Sequence, residues 1–584
     1  MDSDKLAQER AELAEINQKP FLNRLGYYTK KSGPGWLQGA ITLGGGSLAG
    51  AMYLGVFMGY NMMWIQPLAM ILGVVMLSAI SYVTLSTGQR PFGAINEHVS
   101  PVLGWAWLIA ATMANIVWCM PQFALGTAAI QQNLGFELPT ALICFVLLGV
   151  AFAVNFSYES GSKGIALFEL ILKVLVGIVV ISFFGVVVAL SSSGVLDWAA
   201  VFKGMIPNFG LFSSPAPTYN EFIAATGDFA SYWTNKINAD QRDIMITAFG
   251  TAVGINMTFL LPYSMLKKKW GTEHRPLAIV DLSIGLIVPF VLATGCVVIA
   301  AASQFHTKYD DVLDESGNVQ AAMANGFNGI ADGRIKAELG EKAFGMLSAD
   351  ELAEIRKDRK GASDSEIKAV LAGKAIGALS AEELDQVRAN LPLADKQMAA
   401  MLVRRDNFKL ASALEPLTGK AVAQVVFGIG VLGMALSTII ILMLINGFTF
   451  CEMLGKPGNR AIHLTGCLVA GIAGFMGPFL WGNANAKAAL AIPTSVIGFS
   501  MLPIAYFTFL LLMNSKKVLG SNMPKAGSKI AWDVLMTIST LVATMGSVWV
   551  LSSKGFWGQV GIAVLVALFV IGLIGFLSKN KKSA

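Results

Sequence analysis

Asparagine, tryptophan and glutamine side chains recur on one face of a long apolar segment. Asn115, Trp118 and Gln122 are spaced by three and four residues, which places them on one side of an α-helix. Amides both donate and accept hydrogen bonds, and an indole can cover the apolar face of a ring-shaped ligand. The set therefore favours binding of a neutral, hydroxyl-rich solute. Hydrogen bonding between neighbouring helices is the alternative role for such residues in apolar segments.

A run of glycines interrupts the first long apolar segment, GPGWLQGAITLGGGSLAGAMYLGVFMGYNMMW. Gly44, Gly45, Gly46 and Ser47 stand where a membrane-spanning helix should be most regular. Unpaired backbone groups are costly in hydrocarbon, so this break is tolerated only beside protein or a water-filled cavity. Because secondary transporters build substrate sites from such discontinuous helices, we predict a transporter with Gly44, Gly45 and Ser47 at its substrate site.

A third group of polar side chains lies in the segment GINMTFLLPYSML. It adds Asn256, Thr258 and Tyr263 to the predicted substrate-binding residues. No carboxylate accompanies these groups in either interrupted segment, so we predict no metal-binding residues. The sequence has no cluster of His, Cys and Asp and no nucleotide-binding loop, so we predict neither catalytic residues nor an enzyme. No cofactor is indicated.

The composition is that of a helical membrane protein. Hydrophobic residues make up 54% of the 584 residues and charged residues 14%, which departs from soluble domains. Many apolar runs last about 20 residues, the length that a helix needs to cross a bilayer, whereas barrel strands need about 10. The sequence therefore predicts an all-α polytopic membrane protein. About 12 spans are predicted, at 36–59, 62–85, 102–131, 138–156, 164–192, 244–266, 276–302, 418–450, 462–482, 486–515, 528–552 and 557–578.

Basic residues are confined to alternate loops, among them the run Lys267 to Lys269. This positive-inside pattern places both termini in the cytoplasm, and we predict a multi-pass protein of the bacterial inner membrane. It also accounts for the lysine run without a nucleic-acid partner. The predicted divisions are a cytoplasmic tail at 1–34, spans 1–7 at 35–302 with an external loop at 193–243, an extracytoplasmic insert at 303–417, spans 8–12 at 418–578 and a cytoplasmic tail at 579–584.

The insert contains an internal repeat. The segment GEKAFGMLSADELAEIRK, at 340–357, recurs as AGKAIGALSAEELDQVRA, at 372–389. Each copy places a serine before acidic residues and a periodic apolar run, which is typical of a helix N-terminus. We predict a small external helical hairpin. Whether it has a protein partner is unknown from the sequence, and a passive surface insertion is the preferred interpretation.

The order of the segments resembles the Nramp family of divalent-metal transporters. The similarity rests on GPG before the break and on FMGYNMMW, SYVTLSTGQ, LFELILKVLVGIVVISFFG, DLSIGLIVPFVLATGCVVIAAASQFH and LEPLTGKAVAQVVFGIGVLGMALSTIIILMLINGF. It covers the membrane part and excludes 303–417 and most of 193–243. The resemblance implies a LeuT-type fold, in which spans 1–5 and 6–10 are inverted repeats and spans 1 and 6 are broken at the substrate site.

The sequence departs from that family at the site itself. In the first span, the family pattern Asp-Pro-Gly-Asn aligns with Gly44 to Ser47. In the sixth span, the family pattern Met-Pro-His aligns with Asn256 to Thr258. The carboxylate and amide that would hold the ion are thus absent, although a divalent ion leaving water usually needs a carboxylate. The substitutions resemble a branch of bacterial Nramp-like proteins proposed to carry glucose.

Acidic residues within the spans stand near the cytoplasmic ends. Glu169 precedes Lys173 by one helical turn, which predicts an ion pair. Asp281 and Asp533 lie early in their spans. Each could couple transport to protons, but a structural pair or a helix-end charge is the preferred interpretation. The residue chemistry therefore disfavours proton-driven metal uptake.

Three functions stay open at this point. The first is alternating-access transport of a small neutral organic solute, with a sugar such as glucose as the leading candidate. The second is transport of a divalent metal ion, Mg²⁺ or Mn²⁺, through a rebuilt site. The third is a non-transporting Nramp-like sensor with the insert as its working part. Sodium coupling and facilitated diffusion are both compatible with the residues, because backbone carbonyls and hydroxyls suffice for a sodium site.

Overall fold

Helices account for nearly all regular structure in the part of the chain that the computed structural model describes, residues 3–358, 362–480 and 491–581. Ten helices are long and apolar enough to cross a membrane, or up to 12 if each of two bent helix pairs is one span. Within these residues, strand-like pairing is limited to one isolated bridge between Leu313 and Val319. The prediction of an all-α polytopic protein with about 12 spans is confirmed.

We number the spans 1 to 12 in chain order. Their helices are Pro34–Thr42 with Gly45–Met58, Ile65–Thr87, Pro101–Ala128, Thr140–Tyr158, Ser162–Ser192, Ala230–Gly250 with Ile255–Lys267, Arg275–Leu282 with Val288–Phe305, Phe427–Met453, Arg460–Leu480, Ala491–Met513, Ala526–Ser552 and Gly555–Lys581. Turns of π-helix extend or join three of them, at Ala129–Asn133, Ser283–Ile287 and Ala421–Val426. The predicted span limits at 482 and 486 lie outside the described residues.

Span 1 is interrupted where the glycines predict it. Its two helices, Pro34–Thr42 and Gly45–Met58, are bent by 54° at the break. A Cβ atom on Gly44 would lie 2.4 Å from the hydroxyl oxygen of Thr438, so span 8 approaches this point too closely for a side chain. Span 6 has its own interruption at 251–254. Spans 1 and 6 are therefore both broken, as expected.

The first helix of span 6 begins much earlier than predicted. The expected start at 244 lies inside a helix that begins at Ala230, because polar residues in its first turns hide it from a hydropathy pattern. The insert covers these turns. Trp233 Nε1 donates a hydrogen bond of 2.6 Å to Asp395, and Asp395 also pairs with Arg334 at 3.0 Å. The insert is thus attached to one of the two broken spans.

The insert is helical through most of its described length. Its helices are Ala324–Gly345, Ala349–Asp358, Asp364–Gly377, Ala381–Ala389, Leu393–Met401 and Asn407–Thr418. The Ser348 and Ser380 hydroxyls accept hydrogen bonds from the backbone N–H groups of Glu351 and Glu383, so both predicted helix N-caps are confirmed. The predicted loop at 193–243 contains the short helices Trp198–Lys203 and Asn220–Ala225 as well as the first turns of span 6.

Two helices, Ser3–Ile16 and Phe21–Lys31, precede span 1. They contact the connection between spans 6 and 7. Arg10 donates a hydrogen bond of 3.1 Å to the carbonyl oxygen of Lys269, and Asn17 donates one of 2.8 Å to that of Glu273. The N-terminal segment, predicted only as a tail, is therefore a docked part of the fold.

Candidate substrate site

A small cavity, here called the central cavity, lies where the two broken spans meet. Its volume is about 40 Å³, which is room for a few water molecules. The lining residues come from spans 1, 3, 6, 8 and 10, and none of them has an ionisable side chain. They are Ile41, Thr42, Gly44, Gly46, Ser47, Trp118, Pro121, Gln122, Gly250, Thr251, Gly254, Asn256, Met257, Thr438, Leu442 and Thr494. The lining that the described residues form is therefore polar but uncharged.

Gln122 connects span 3 to the break in span 1. Its Oε1 accepts a hydrogen bond of 2.8 Å from the backbone N–H of Gly45, the first residue of the second helix of span 1. The first N–H groups of a helix have no partner within the helix, so the side-chain amide satisfies one of them. The Gln122 side chain thus holds the broken backbone in place and lines the cavity as well.

Two asparagines join spans 3 and 6 beside the cavity. Asn256 Nδ2 donates a hydrogen bond of 3.1 Å to Asn115 Oδ1, and both residues are fully buried. The remaining amide atoms, Asn256 Oδ1 and Asn115 Nδ2, have no partner among the described residues. A buried polar atom without a partner is destabilising by about 1–3 kcal/mol. Because Asn256 lines the cavity, a ligand or a water molecule there would relieve this strain.

Trp118 forms an apolar wall of the cavity. Its Nε1 donates a hydrogen bond of 2.8 Å to the carbonyl oxygen of Thr494 in span 10. Cβ atoms on Gly254 and Gly498 would lie 2.5 Å and 2.0 Å from the indole. The ring fits between spans 6 and 10 only because residues 254 and 498 are glycines. The indole is therefore packed tightly against both spans.

Hydroxyl groups meet the unwound backbone of span 1. The Ser47 hydroxyl donates to the carbonyl oxygen of Thr42 at 2.7 Å and accepts from the N–H of Gly44 at 3.1 Å. From span 8, Ser437 donates to the carbonyl oxygen of Ala40 at 3.0 Å. Backbone groups released by the break thus find side-chain partners, as a break inside a membrane requires.

Several cavity residues are absent from the predicted set. Thr251, Gly254 and Met257 follow the end of the first helix of span 6 and line the cavity. Met257 Sδ accepts hydrogen bonds from the Thr42 hydroxyl at 3.2 Å and from the Gly254 N–H at 3.3 Å. The signal that could have identified them is the pair of glycines, Gly250 and Gly254, around the break in span 6.

A family model for natural resistance-associated macrophage protein-like proteins, abbreviated Nramp, matches residues 35–334 and 397–553. These residues are more than half of the chain and include both broken spans. The chain belongs to the Nramp family. In a comparison with curated proteins, none matches this Nramp protein.

This Nramp protein is similar in structure to a manganese transporter of Eremococcus coleocola. For the crystal structure of that transporter with an aromatic bis-isothiourea substituted compound, the sequence identity is 16%, the TM-score is 0.58 and the match covers 96% of each chain. Structures of two variants of the same transporter give 15% identity and a TM-score of 0.53, over 96% of this chain and 97% of that one. Similarity at this level shows the fold, which is the LeuT-type fold of a secondary transporter.

Two of the predicted residues of this Nramp protein lie away from the central cavity. Thr258 accepts a hydrogen bond of 2.9 Å from Trp107 Nε1 in span 3. Tyr263 lines a separate cavity of about 150 Å³, here called the end cavity, near the end of span 6. The structure brings together Gly44, Gly45, Ser47, Asn115, Trp118, Gln122 and Asn256 at or beside the central cavity.

Two ion pairs line the end cavity. Arg90 lies 2.5 Å from Glu452, and Lys267 lies 2.9 Å from Glu159. Lys267 and Glu452 stand at the ends of spans 6 and 8, which line the central cavity with residues closer to their middles. The ion pairs therefore join the ends of the helices that carry the candidate site to neighbouring loops.

Glu169 has a different partner from the predicted one. It pairs with Lys268 at 2.9 Å, whereas Lys173 donates a hydrogen bond of 2.7 Å to the carbonyl oxygen of Ser32. The predicted ion pair between Glu169 and Lys173 is wrong. Spacing along one helix shows that two of its own side chains can meet. It gives no information about a lysine from a neighbouring span that lies closer.

The other two acidic residues also have structural partners. Asp281 accepts hydrogen bonds from the backbone N–H groups of Gly33 at 3.0 Å and Gly35 at 2.7 Å, which stabilises the beginning of span 1. Asp533 lies 2.5 Å from Lys529. Within the described residues, no group of three or more His, Cys, Asp or Glu side chains is placed to hold a metal ion. Carboxylates thus surround the helix ends and not the central cavity.

Proposed function

We propose that this secondary transporter carries a small neutral, hydroxyl-rich solute by alternating access, with a sugar such as glucose as the first candidate. The observation that supports the proposal is the lining of the central cavity, in which the described residues supply amides, hydroxyls and an indole but no ionisable side chain. Sugar hydroxyls donate and accept hydrogen bonds, as Gln122 and Asn256 do. The indole of Trp118 offers the flat apolar surface that covers the C–H face of a sugar ring.

The absence of charge among the described lining residues also argues against a divalent ion as cargo. Such an ion leaves water only if ligands replace its hydration shell, and carboxylates usually supply part of the negative charge. An unneutralised charge in a low-dielectric cavity is strongly unfavourable. Gln122, Asn256 and Thr438 are neutral, so they would compensate an ion with dipoles alone.

Divalent-metal transport is the second candidate. It is supported by the structural similarity to a transporter of manganese and by the volume of the central cavity, about 40 Å³, which suits an ion better than a sugar ring. The thioether of Met257 and the Oδ1 of Asn256, which no described residue contacts by a hydrogen bond, would be its ligands. Sugar transport instead requires a conformation in which the cavity is wider, and movement of the broken spans would supply it.

Uptake into proteoliposomes distinguishes the two cargoes. Purified protein is reconstituted, and uptake of labelled glucose is measured beside uptake of Mn²⁺ and Mg²⁺, with protein-free vesicles as the blank. We expect saturable glucose uptake that Asn256→Ala weakens and no metal uptake. Asn155→Ala is the matched control, because this buried amide bonds to the carbonyl oxygen of Ile440 and does not line the cavity. Metal uptake without glucose uptake would establish the second candidate.

A sodium gradient across the same vesicles tests coupling. The hydroxyls of Ser437 and Thr438 lie near carbonyl oxygens at the break in span 1, with Thr438 Oγ1 3.4 Å from the oxygen of Leu43. Carbonyls at an unwound helix and hydroxyls from a neighbour can form a sodium site. We propose that this site couples glucose uptake to sodium. An inward sodium gradient should then accelerate glucose uptake, and Thr438→Val should remove the acceleration. Equal rates with and without sodium would support facilitated diffusion.

A further inference from the structure

A third cavity, here called the lipid-side cavity, lies between spans 6, 10 and 11 on the side of the membrane that carries the insert. Its volume is about 360 Å³, within the range of roughly 300–1,000 Å³ that is usual for small-molecule sites. Every lining side chain is apolar or aromatic, among them Met245, Phe499, Val542 and Trp549. Such a cavity favours a hydrocarbon chain over a polar solute.

The lipid-side cavity opens toward the bilayer. Met545 lines it and is 70% exposed. On the same span, Leu541 is 55% exposed. Apolar residues that are exposed on a membrane-spanning helix face lipid tails, because the hydrocarbon is their solvent. An acyl chain of the bilayer therefore has direct access to the cavity.

A segment before span 6 that contributes Phe212 to the cavity has the exposure pattern of a membrane-interface segment. The segment 198–212 places Phe202, Ile206 and Phe209 outward, at 67%, 67% and 63% exposure. Large exposed apolar residues beside a polar external loop are typical of a segment that lies in the membrane interface. Phe212, from the same segment, lines the cavity and stacks on Phe209 with a centroid distance of 6.1 Å.

An arginine without an ion-pair partner among the described residues lies beside Trp549, which lines the lipid-side cavity. The guanidinium of Arg242 lies 5.5 Å from the centre of the Trp549 ring. Its Nε is buried and has no hydrogen-bond partner among the described residues, and within them Arg242 forms no ion pair. Arginine presents several N–H donors in a planar arrangement that matches phosphate oxygens. The position therefore suits the phosphate of a lipid whose chain enters the cavity.

We propose that the lipid-side cavity binds a glycerophospholipid of the bilayer, with one acyl chain between spans 6, 10 and 11 and its phosphate on Arg242. The lipid lies close to the candidate substrate site. Phe499 lines the lipid-side cavity, and a Cβ atom on Gly250 would lie 2.8 Å from the Cβ of Phe499. Gly250 in turn lines the central cavity, so a single side chain separates the two.

Photolabelling with two lipids tests the proposal. The full-length protein is reconstituted in phosphatidylcholine vesicles with phosphatidylglycerol that carries a diazirine on one acyl chain, or with diacylglycerol that carries the same chain. Peptides that contain Val542 and Met545 are quantified by mass spectrometry. We expect phosphatidylglycerol to label them about tenfold more than diacylglycerol, which corresponds to about 1.4 kcal/mol, because only phosphatidylglycerol offers a phosphate to the guanidinium.

Three variants separate the contribution of the phosphate contact from that of the acyl-chain cavity. Arg242→Gln removes the charge and should make the two probes label equally. Val542→Trp fills the cavity and should lower labelling by both probes. Lys554→Gln removes an exposed cation on the same membrane side, just beyond span 11, and should change nothing. Elution of each variant as a single species in size-exclusion chromatography shows that it is folded.

Two results would overturn the phospholipid site. One is equal labelling of the wild-type protein by both probes, or a preference that survives Arg242→Gln, since neither leaves a role for the phosphate contact. The other is even labelling of all lipid-facing spans, including span 12, which is the pattern of a non-specific lipid shell.

Discussion

At the scale of single residues, Asn256 and Gln122 divide their hydrogen bonds between the protein and the central cavity. Asn256 donates to Asn115, and its Oδ1 has no partner in the described part of the chain, while Gln122 accepts from the backbone of Gly45. These bonds fix each amide in one orientation before a ligand arrives. A fixed orientation lowers the entropy that binding must overcome and makes the hydrogen-bond pattern selective.

Replacement of either amide by alanine should weaken glucose binding. We expect Asn256→Ala and Gln122→Ala each to reduce the binding free energy by at least about 1 kcal/mol, because a ligand hydroxyl loses its partner. Isothermal titration of the purified variants with glucose measures this, and Asn155→Ala should bind as the wild type does. Unchanged affinity in both cavity variants would remove them from the site.

Substitutions at Gly44 test whether the close approach of spans 1 and 8 matters for transport. A Cβ atom there would lie 2.4 Å from the Thr438 hydroxyl oxygen, so Gly44→Ala should slow glucose uptake and Gly44→Ala with Thr438→Ala should restore part of it. Gly44→Asp should abolish uptake in both backgrounds, since it buries a carboxylate without a partner. Uptake rates in proteoliposomes measure these effects. A wild-type rate in Gly44→Asp would place the cargo elsewhere.

At the scale of elements, a buried ion pair of the insert contacts the first helix of span 6. Asp395 and Arg334 form an ion pair at 2% exposure of each side chain, and Trp233 donates to the same carboxylate. The Arg334 guanidinium also lies 3.1 Å from the centre of the Phe229 ring. Since span 6 is one of the two broken spans, this contact connects the insert to an element that alternating access would move.

Loss of one member of the buried pair should destabilise the protein. We expect Arg334→Met to lower the free energy of unfolding by about 3–5 kcal/mol, because it leaves the Asp395 carboxylate buried without its cation. Arg334→Met with Asp395→Leu should recover part of the loss. Thermal unfolding in detergent measures both.

An exposed ion pair of the insert provides the comparison. Arg356 and Asp364 have side-chain exposures of 47% and 57%, so Arg356→Ala should change stability by less than about 1 kcal/mol. If Arg334→Met unfolded at the temperature of Arg356→Ala, the buried pair would have no part in holding the insert to span 6.

At the scale of the whole molecule, the predicted orientation places the N-terminal helices in the cytoplasm and the insert outside. Single cysteines at exposed positions can test it, because the five native cysteines are buried. A membrane-impermeant maleimide should label Glu382→Cys in right-side-out vesicles and Gln8→Cys only after permeabilisation. The reverse labelling pattern would mean that the whole molecule is inverted.

Composition, run length and glycine placement were enough to predict the membrane class, the number of spans and the break in span 1. These features are local: hydrocarbon thickness sets the length of a span, and three glycines weaken a helix wherever they occur. The helix N-caps at Ser348 and Ser380 are local for the same reason. The polar face of Asn115 and Gln122 was predicted from helical periodicity within one segment.

Only the tertiary structure decided which side chains meet. Thr258 and Asn256 lie two residues apart in sequence, yet one contacts Trp107 and the other the central cavity. Lys268 reaches Glu169 from the end of another span, and the insert covers the first turns of span 6. Periodicity identifies the face of a helix but not the neighbour that covers it, because that neighbour is selected by packing between segments far apart in the chain.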